Sequence, residues 1–472
     1  MRVPVIVLLV LAAAAAGCSD DDGDRTEATP TTSARGSVAD SRAEGWSVYG
    51  HDLSNTRRNL DERAITPQTV DRLGQRWSKS GLVGVSGTPA VVDGTAYFGD
   101  WTGMVRAVDV ATGDERWAAE VGGWVVGAPA VDGDAVYASS GHTLFRLDRD
   151  TGREVWRVDV NDHPLAQINA SPVVVDGLVL QGAASVEVAI PRPEYTFRGT
   201  IGAYDAETGE ERWRVYTTDA DERSGPGVGI WSTPAVDRDR GVLYVGSGNT
   251  YAEPTAPLAD SILAIDLDTG ELVWSTQFTA PDVFSAGNPT GKDADVGASP
   301  NLWTSDGREL VGAGDKAGVY HALDRETGEV VWETRLTAGS FFGGEIGSAA
   351  FVDERIVAVS NVGDADTNAP TNVAKVFALD PASGELRWTS DEYEGMIFGP
   401  VGAVPGLAFV GTSSGAMVAL DTATGEELWS FQAPDKVACG PSIVDGNLLW
   451  GYGYTLFSGG GDGGVVSFSV ED

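Results

Sequence analysis

The sequence predicts an all-β fold, an eight-bladed β-propeller of four-stranded blades, its ring closed by pairing of the N- and C-terminal strands. Three observations predict it. A phrase of fixed spacing occurs seven times: Asp, Thr or Ser three residues on, Gly next, and Trp four after the Gly. Its copies are Asp109/Gly113/Trp117, Asp148/Gly152/Trp156, Asp205/Gly209/Trp213, Asp266/Gly270/Trp274, Asp324/Gly328/Trp332, Asp380/Gly384/Trp388 and Asp421/Gly425/Trp429. Upstream of most copies stands a second phrase, a small residue, Pro, an apolar run and Asp, as in Thr88-Pro89 to Gly94 and Ser171-Pro172 to Gly177. Finally, the stretch 463–469 matches the start of the first phrase but stops before its Trp, and a Trp strand without partners, Leu73 to Trp77, stands near the other end.

Each element has a physical reason. In the first phrase an apolar strand ends at the Asp, whose short side chain bonds its own turn; the Gly takes the positive φ that closes the hairpin; the following strand carries the Trp. The second phrase supplies one more strand, and Thr95-Ala96-Tyr97-Phe98 is an example of the strand between the two. Four strands per unit at roughly 40 to 60 residues per unit is a propeller blade. Seven complete blades and one shared between Leu73–Trp77 and 463–469 make eight, and that pairing leaves no open sheet edge.

Residues 1–17 read as a lipoprotein signal peptide. Arg2 precedes an apolar run, Val3 to Ala16, too short for a membrane span, and Ala15-Ala16-Gly17-Cys18 resembles a lipobox, with Cys18 the lipidated residue. Residues 18–44, rich in Ser, Thr, Asp and Ala, read as a disordered tether, and 45–472 as the propeller. Lipidation of Cys18 leaves Cys439 alone, so no intrachain disulfide is expected and Cys439 reads as a small buried strand residue. The protein is therefore expected to be extracytoplasmic and lipid-anchored at the cell membrane. A net charge of −37, five lysines and no basic run exclude nucleic acid and disfavour an anionic surface as partner. His51, His142, His163 and His321 show no metal-ligand spacing and read as surface or turn residues.

Beyond the repeats, Tyr49-Gly50-His51-Asp52-Leu53-Ser54-Asn55-Thr56-Arg57, with Ile65-Thr66-Pro67 and Leu73 to Trp77, is similar to the N-terminal signature of the pyrroloquinoline quinone (PQQ)-dependent dehydrogenases, most of all their polyvinyl-alcohol dehydrogenase-like branch. The resemblance covers about residues 45 to 470. It implies PQQ and Ca2+ as cofactors, a small or polymeric alcohol as substrate, and a separate electron acceptor, a soluble cytochrome or a quinone. It also implies site residues. Trp231, in Gly229-Ile230-Trp231-Ser232, is the indole under the quinone; Glu187 and Asn249, in Tyr244 to Asn249, are calcium ligands; Asp295, in Asp293 to Pro300, is the catalytic base and a further metal ligand, with Asp282 and Asp293 as rivals for the base. Lys316 occupies the place of an Arg that bonds the quinone oxygens, and Asn169 or Ser171 would touch the cofactor. Calcium takes hard oxygen ligands and acts as a Lewis acid, and a carboxylate takes the alcohol proton.

The sequence departs from the family by lacking C-x-x-C-H, and with it a haem c, and by lacking an adjacent Cys pair; residues 285–292 also lengthen the approach to Asp295. Plainer readings stand beside each site residue: Asn249 as a left-handed turn residue, Glu187 as one exposed acid among 69 with Glu194 or Glu345 in its stead, Trp231 as packing. Two functions follow: an exported, lipid-anchored PQQ- and calcium-dependent alcohol dehydrogenase, or a non-enzymatic propeller lipoprotein serving as scaffold or ligand-binding module. The set Glu187, Asn249 and Asp295 favours the first.

Overall fold

A computed structural model describes residues 45–219, 224–364, 369–454 and 462–471. The expected signal peptide, Cys18 and the tether lie outside the described residues. Residues Ala43–Asp472 make one compact unit. Eight antiparallel sheets of four principal strands follow one another round a ring. The first blade is Ala90–Val92, Thr95–Gly99, Met104–Asp109 and Glu115–Glu120. The eighth is built from both ends of the chain: Leu73–Leu82 pairs antiparallel with Gly463–Val470, from Leu73 against Val470 to Leu82 against Gly463. Two short 3-10 turns, Val70–Arg72 and Glu187–Ala189, are the helical elements among the described residues, and no described helix is long and apolar enough to cross a membrane.

The repeated phrase works as a clasp between blades. Within its own turn the Asp carboxylate accepts the N–H groups two and three residues on and the Thr hydroxyl; at Asp266 these are 3.1, 2.9 and 2.8 Å. The Gly stands at positive φ, +77° at Gly113, and the preceding blade's indole lies against it, so a Cβ there would sit 2.8 Å from the ring of Trp77. Each indole N–H also donates to a carbonyl of the next blade: Trp77 to Val110 (2.8 Å), Trp117 to Arg149 (2.8 Å), and so on to Trp429, which donates to Leu73 (3.1 Å) and closes the ring. Gly and Trp in one phrase are thus the two halves of one interface.

Each blade's first strand faces the ring axis and would leave an unpaired edge there. Residues 45–59 cover those edges in turn. Gly45–Trp46 pairs with Val91 and Val92 of the first blade, and the carbonyls of Ser47, Leu53, Ser54, Thr56 and Arg57 accept N–H groups of Val131, Val236, Leu302, Phe351 and Ala403, in blades two, four, five, six and seven. Asn59 donates its side-chain amide to Ile443 of the eighth (2.9 Å). Asn55, 1% exposed and at positive φ, donates to the carbonyls of Thr233, Pro234 and Pro300. Arg57 is fully buried between the rings of Trp46 and Tyr49.

The hydroxyls of the second phrase form a belt from blade to blade. Ser171 Oγ accepts the N–H of Ala128 (2.9 Å) while its own N–H donates to Thr233 Oγ1; Thr233 does the same to Ser299, and Ser299 to Ser348. Cys439 is buried beside Arg57, as expected, but precedes strand Ser442–Val444 instead of lying in one.

Candidate functional site

The clasps occupy one face of the ring. The other face carries the loops that follow each second strand and those that lead into each first strand, and the expected site residues fall on these. Asn249 follows Val242–Gly246, Lys316 follows Arg308–Gly314, Trp231 leads to Ala235–Asp237, and Asp293 and Asp295 lead to Asn301–Ser305.

The structure brings Trp231, Asn249, Asp282, Asp293, Asp295 and Lys316 together. The half-buried indole of Trp231 packs directly against Gly297, where a Cβ would be 1.7 Å from the ring; only glycine admits the indole there. A Cβ on Gly248 would stand 3.2 Å from Trp231 Nε1 and 3.3 Å from Asp295 Oδ1, so both groups converge on that backbone. Lys316 Nζ lies 5.4 Å from the centre of the Trp231 ring. It contacts Asp293 at 2.9 and 3.1 Å and Asp295 Oδ2 at 2.7 Å. Asn249 donates its amide to the carbonyls of Thr250 and Phe284 (2.7 and 2.6 Å), which leaves Oδ1 as the end able to serve as a ligand. Asn249 is absent from the left-handed residues, so the turn explanation of this position fails.

Acids outnumber bases in this pocket. Asp282 is fully buried; one oxygen accepts the N–H of Ala294 at 3.3 Å, and the other has no hydrogen-bond partner. Asp295 Oδ1 is also buried without a partner. Burial, then the charge of Asp295, pushes Asp282 up to about 9. Burial pushes Asp293 up to about 8 against the pull of Lys316. Burial works against the Lys316 ammonium, but Asp293 and Asp295 outweigh it and its pKa is raised.

Other expected residues are placed differently. Glu187 is fully buried, not an exposed acid, and its carboxylate is taken by the N–H groups of Thr196 and Phe197 and by Arg192 Nη1 at 3.1 Å, with His163 Nε2 at 3.6 Å. Two backbone donors and a guanidinium engage it, and among the described residues no three His, Cys, Asp or Glu side chains converge as a metal set. Ser171 is buried and its hydroxyl is spent on the belt, whereas Asn169 is exposed on the loop before it. Lys316 meets two aspartates, an arrangement the sequence reading did not contain. His321 is no surface residue: it is 3% exposed in strand Val319–Asp324, between Asp315 and Glu333. An open cleft of about 740 Å³ lies to one side, lined by Arg192, Tyr195, Arg198, Tyr251 and Asn288 among others, and does not reach Trp231, Asp295 or Lys316.

The donor chemistry fits a hard divalent cation. Buried carboxylate oxygens without partners at Asp282 and Asp295, an amide oxygen at Asn249 and one lysine against three aspartates give the pocket a surplus of negative charge that such an ion would neutralise. A flat, half-buried indole on a glycine suits a planar ring above it.

Comparison with known proteins agrees with this fold. Residues 161–338 match the family model described as glucose/ethanol/alcohol dehydrogenase, beta-propeller domain, and residues 372–472 the model described as outer membrane protein assembly factor BamB. By these matches the chain is similar to the PQQ-dependent dehydrogenase β-propellers. Within that class it is similar to the polyvinylalcohol dehydrogenase of a Pseudomonas species, 28% identical over 89% of this chain and 72% of that protein. It is also similar to the quinohemoprotein alcohol dehydrogenase of Comamonas testosteroni, 25% identical over 91% of this chain and 76% of that one. The crystal structure of the Comamonas testosteroni enzyme superposes with a TM-score of 0.74 at 22% identity, covering 91% of this chain and 81% of the other.

Proposed function

We propose that the protein is an exported, lipid-anchored quinoprotein that oxidises an alcohol or polyol with PQQ and calcium as cofactors. The observation that carries this reading is the buried surplus of carboxylate oxygens beside Trp231 and Lys316. Similarity to alcohol and polyvinyl alcohol dehydrogenases supports the reaction class.

When bound, the quinone supplies a two-electron acceptor and the calcium ion a Lewis acid. Asp282, Asp295 and Asn249 Oδ1 would hold the cation, and Trp231 would support the ring. Of the three candidate bases, Asp293 has both oxygens taken by Lys316, and Asp282 would be committed to the cation. That leaves Asp295 to take the alcohol proton at its unpartnered Oδ1, while Lys316 fixes Oδ2 at 2.7 Å. Lys316 also ties Asp293 to the same point, which sets the carboxylate's direction. Because the pocket is acidic, a cation held by Asp282, Asp295 and Asn249 would offset the charge that disfavours an anionic cofactor there.

Reconstitution of the full chain with PQQ and calcium, followed by dye reduction with a panel of alcohols, tests the proposal; failure to bind PQQ in the presence of calcium would sink it. The match of residues 372–472 to the assembly-factor model supports a second reading, a scaffold without activity, which that same failure would favour. Palmitate labelling that survives Cys18→Ala would refute the anchor.

A further inference from the structure

One buried ionic group lies next to the site and has no part in the chemistry above. Lys316 and Asp315 sit in one turn, between strands Arg308–Gly314 and Val319–Asp324, and point to different neighbours. Lys316 reaches Asp293 and Asp295. Asp315 has its Oδ1 fixed by the N–H of Val319 (2.9 Å) and its Oδ2 3.0 Å from His321 Nε2. The other ring nitrogen, Nδ1, lies 2.8 Å from Oε1 of Glu333, whose side chain is 49% exposed. His321 thus has one nitrogen on a fully buried acid and the other on an acid that meets water. Phe278 stacks on the imidazole at 3.7 Å and shields its face. Nearby stands Asp260, fully buried, with neither carboxylate oxygen hydrogen-bonded, and within electrostatic reach of both Asp315 and Asp295.

We propose that Asp260, Asp315, His321 and Glu333 form a proton outlet from the site to solvent, with His321 as the relay. The inference rests on the dehydrogenase reading. Oxidation of a secondary alcohol to a ketone releases two electrons and two protons. The electrons leave through the quinone to an external acceptor, and the protons must cross a buried pocket. A proton arriving at Nε2 from Asp315 forms an N–H bond there as the Nδ1–H bond breaks toward Glu333, which releases the proton to water; charge and atoms balance, and no further reagent is needed.

A purely structural role is the rival explanation, and the fold contains its control. In the first blade the equivalent turn carries Asp100, and six residues on stands Arg106, with Nε 3.4 Å from Asp100 and Nη1 2.8 Å from Glu115. A guanidinium pins that hairpin and does not titrate. In the fifth blade, the one that supplies Lys316, the cation is a histidine. Asp315, Glu333 and, behind them, Asp260 are the charged groups that face it, and Phe278 is neutral. Burial disfavours the imidazolium, but hydrogen bonds and charge from Asp315, then Glu333, outweigh it, so the pKa of His321 lies above its usual value.

The test uses His321→Arg and Glu333→Gln in the full chain. With PQQ, calcium, 2-propanol and a dye as acceptor, His321→Arg is expected to fold and melt like the wild type, to lower kcat about tenfold with little change in KM, and to lose the His limb of the kcat pH profile. Unchanged kcat and profile in His321→Arg would reduce His321 to a pin and overturn the outlet. Independently of turnover, 15N-histidine NMR of the cofactor-free protein is expected to show several-fold slower solvent exchange of the His321 ring protons in Glu333→Gln. Unchanged exchange would also overturn the outlet. A wild type that binds PQQ yet oxidises no alcohol would refute the dehydrogenase reading, and the exchange result alone would then decide the outlet.

Discussion

Lys316→Met removes the ammonium that compensates Asp293 and Asp295 while keeping much of the side-chain volume. The lysine side chain is 12% exposed, and the two aspartates are 4% and 6% exposed, so water screens the lost charge poorly. Breaking a buried ion pair from one side costs about 3–5 kcal/mol when the remaining charge must stay. Here the cost depends on pH, because Asp293 stands at about 8 in the folded protein, above its unfolded value. A carboxyl raised in this way contributes stability that is complete below the unfolded value, about 4, and is lost as pH rises through the folded one. Near pH 5.5, well below its folded value, Asp293 carries its proton and the penalty shrinks to about 1–2 kcal/mol; at pH 9 Asp293 must either keep its charge without the ammonium or take up a proton, and the full penalty appears. For a folded unit of this length each kcal/mol moves Tm by about 1 °C, so the variant should melt roughly 1–2 °C below the wild type at pH 5.5 and 3–5 °C below it at pH 9, by calorimetry without calcium. Lys316→Arg should recover most of the loss, since it restores the charge. Equal losses at both pH values would refute the clamp, because they would mean that packing, not charge, sets the effect.

Asp295→Asn should lower kcat by at least about a hundredfold in the dye assay at saturating PQQ and calcium, whereas the same change at Asp293 should leave more activity. Asn249→Ala should raise the calcium concentration needed for half-maximal PQQ uptake about tenfold, read by fluorescence quenching of Trp231. In chelator, the protein should lose stability as pH rises from about 4 to about 9, since Asp260, Asp282 and Asp293 all have raised values, and millimolar calcium should flatten that slope in urea titrations. Asn55→Ala should cost about 2–4 kcal/mol in the same titrations, for three carbonyls left without their donor and a left-handed residue without its amide.

The ring was legible because its rule is local. Asp266, Thr269 and Gly270 make one turn, and the indole of Trp213 reads that turn from the blade before, so spacing alone specified the interface. Trp231, Asn249, Asp295 and Lys316, each in a recognisable stretch beside a strand, do come together in space. What spacing did not carry was the partner of each group. Glu187 lies five residues from Arg192, which no repeat marks, and that guanidinium takes the carboxylate. Ser171 belongs to the second phrase, so its own repetition at Thr88, Thr233 and Ser299 was the sign that its hydroxyl serves the blades. His321 gave no signal as a histidine; comparison with Arg106, at the same offset from Asp100, would have revealed a buried cation position.

Repeat proteins ordinarily share energy only between neighbours, so that damage in one unit fades within a unit or two. Residues 45–59 alter that arithmetic. They join blades one, two, four, five, six, seven and eight through a single strand of chain, so every blade is at most two steps from every other. Loss of one spoke weakens the axle for all, and the ring should unfold in a single transition, without the blade-by-blade fraying of an open array. One short peptide at the axis is what makes the blades answer together.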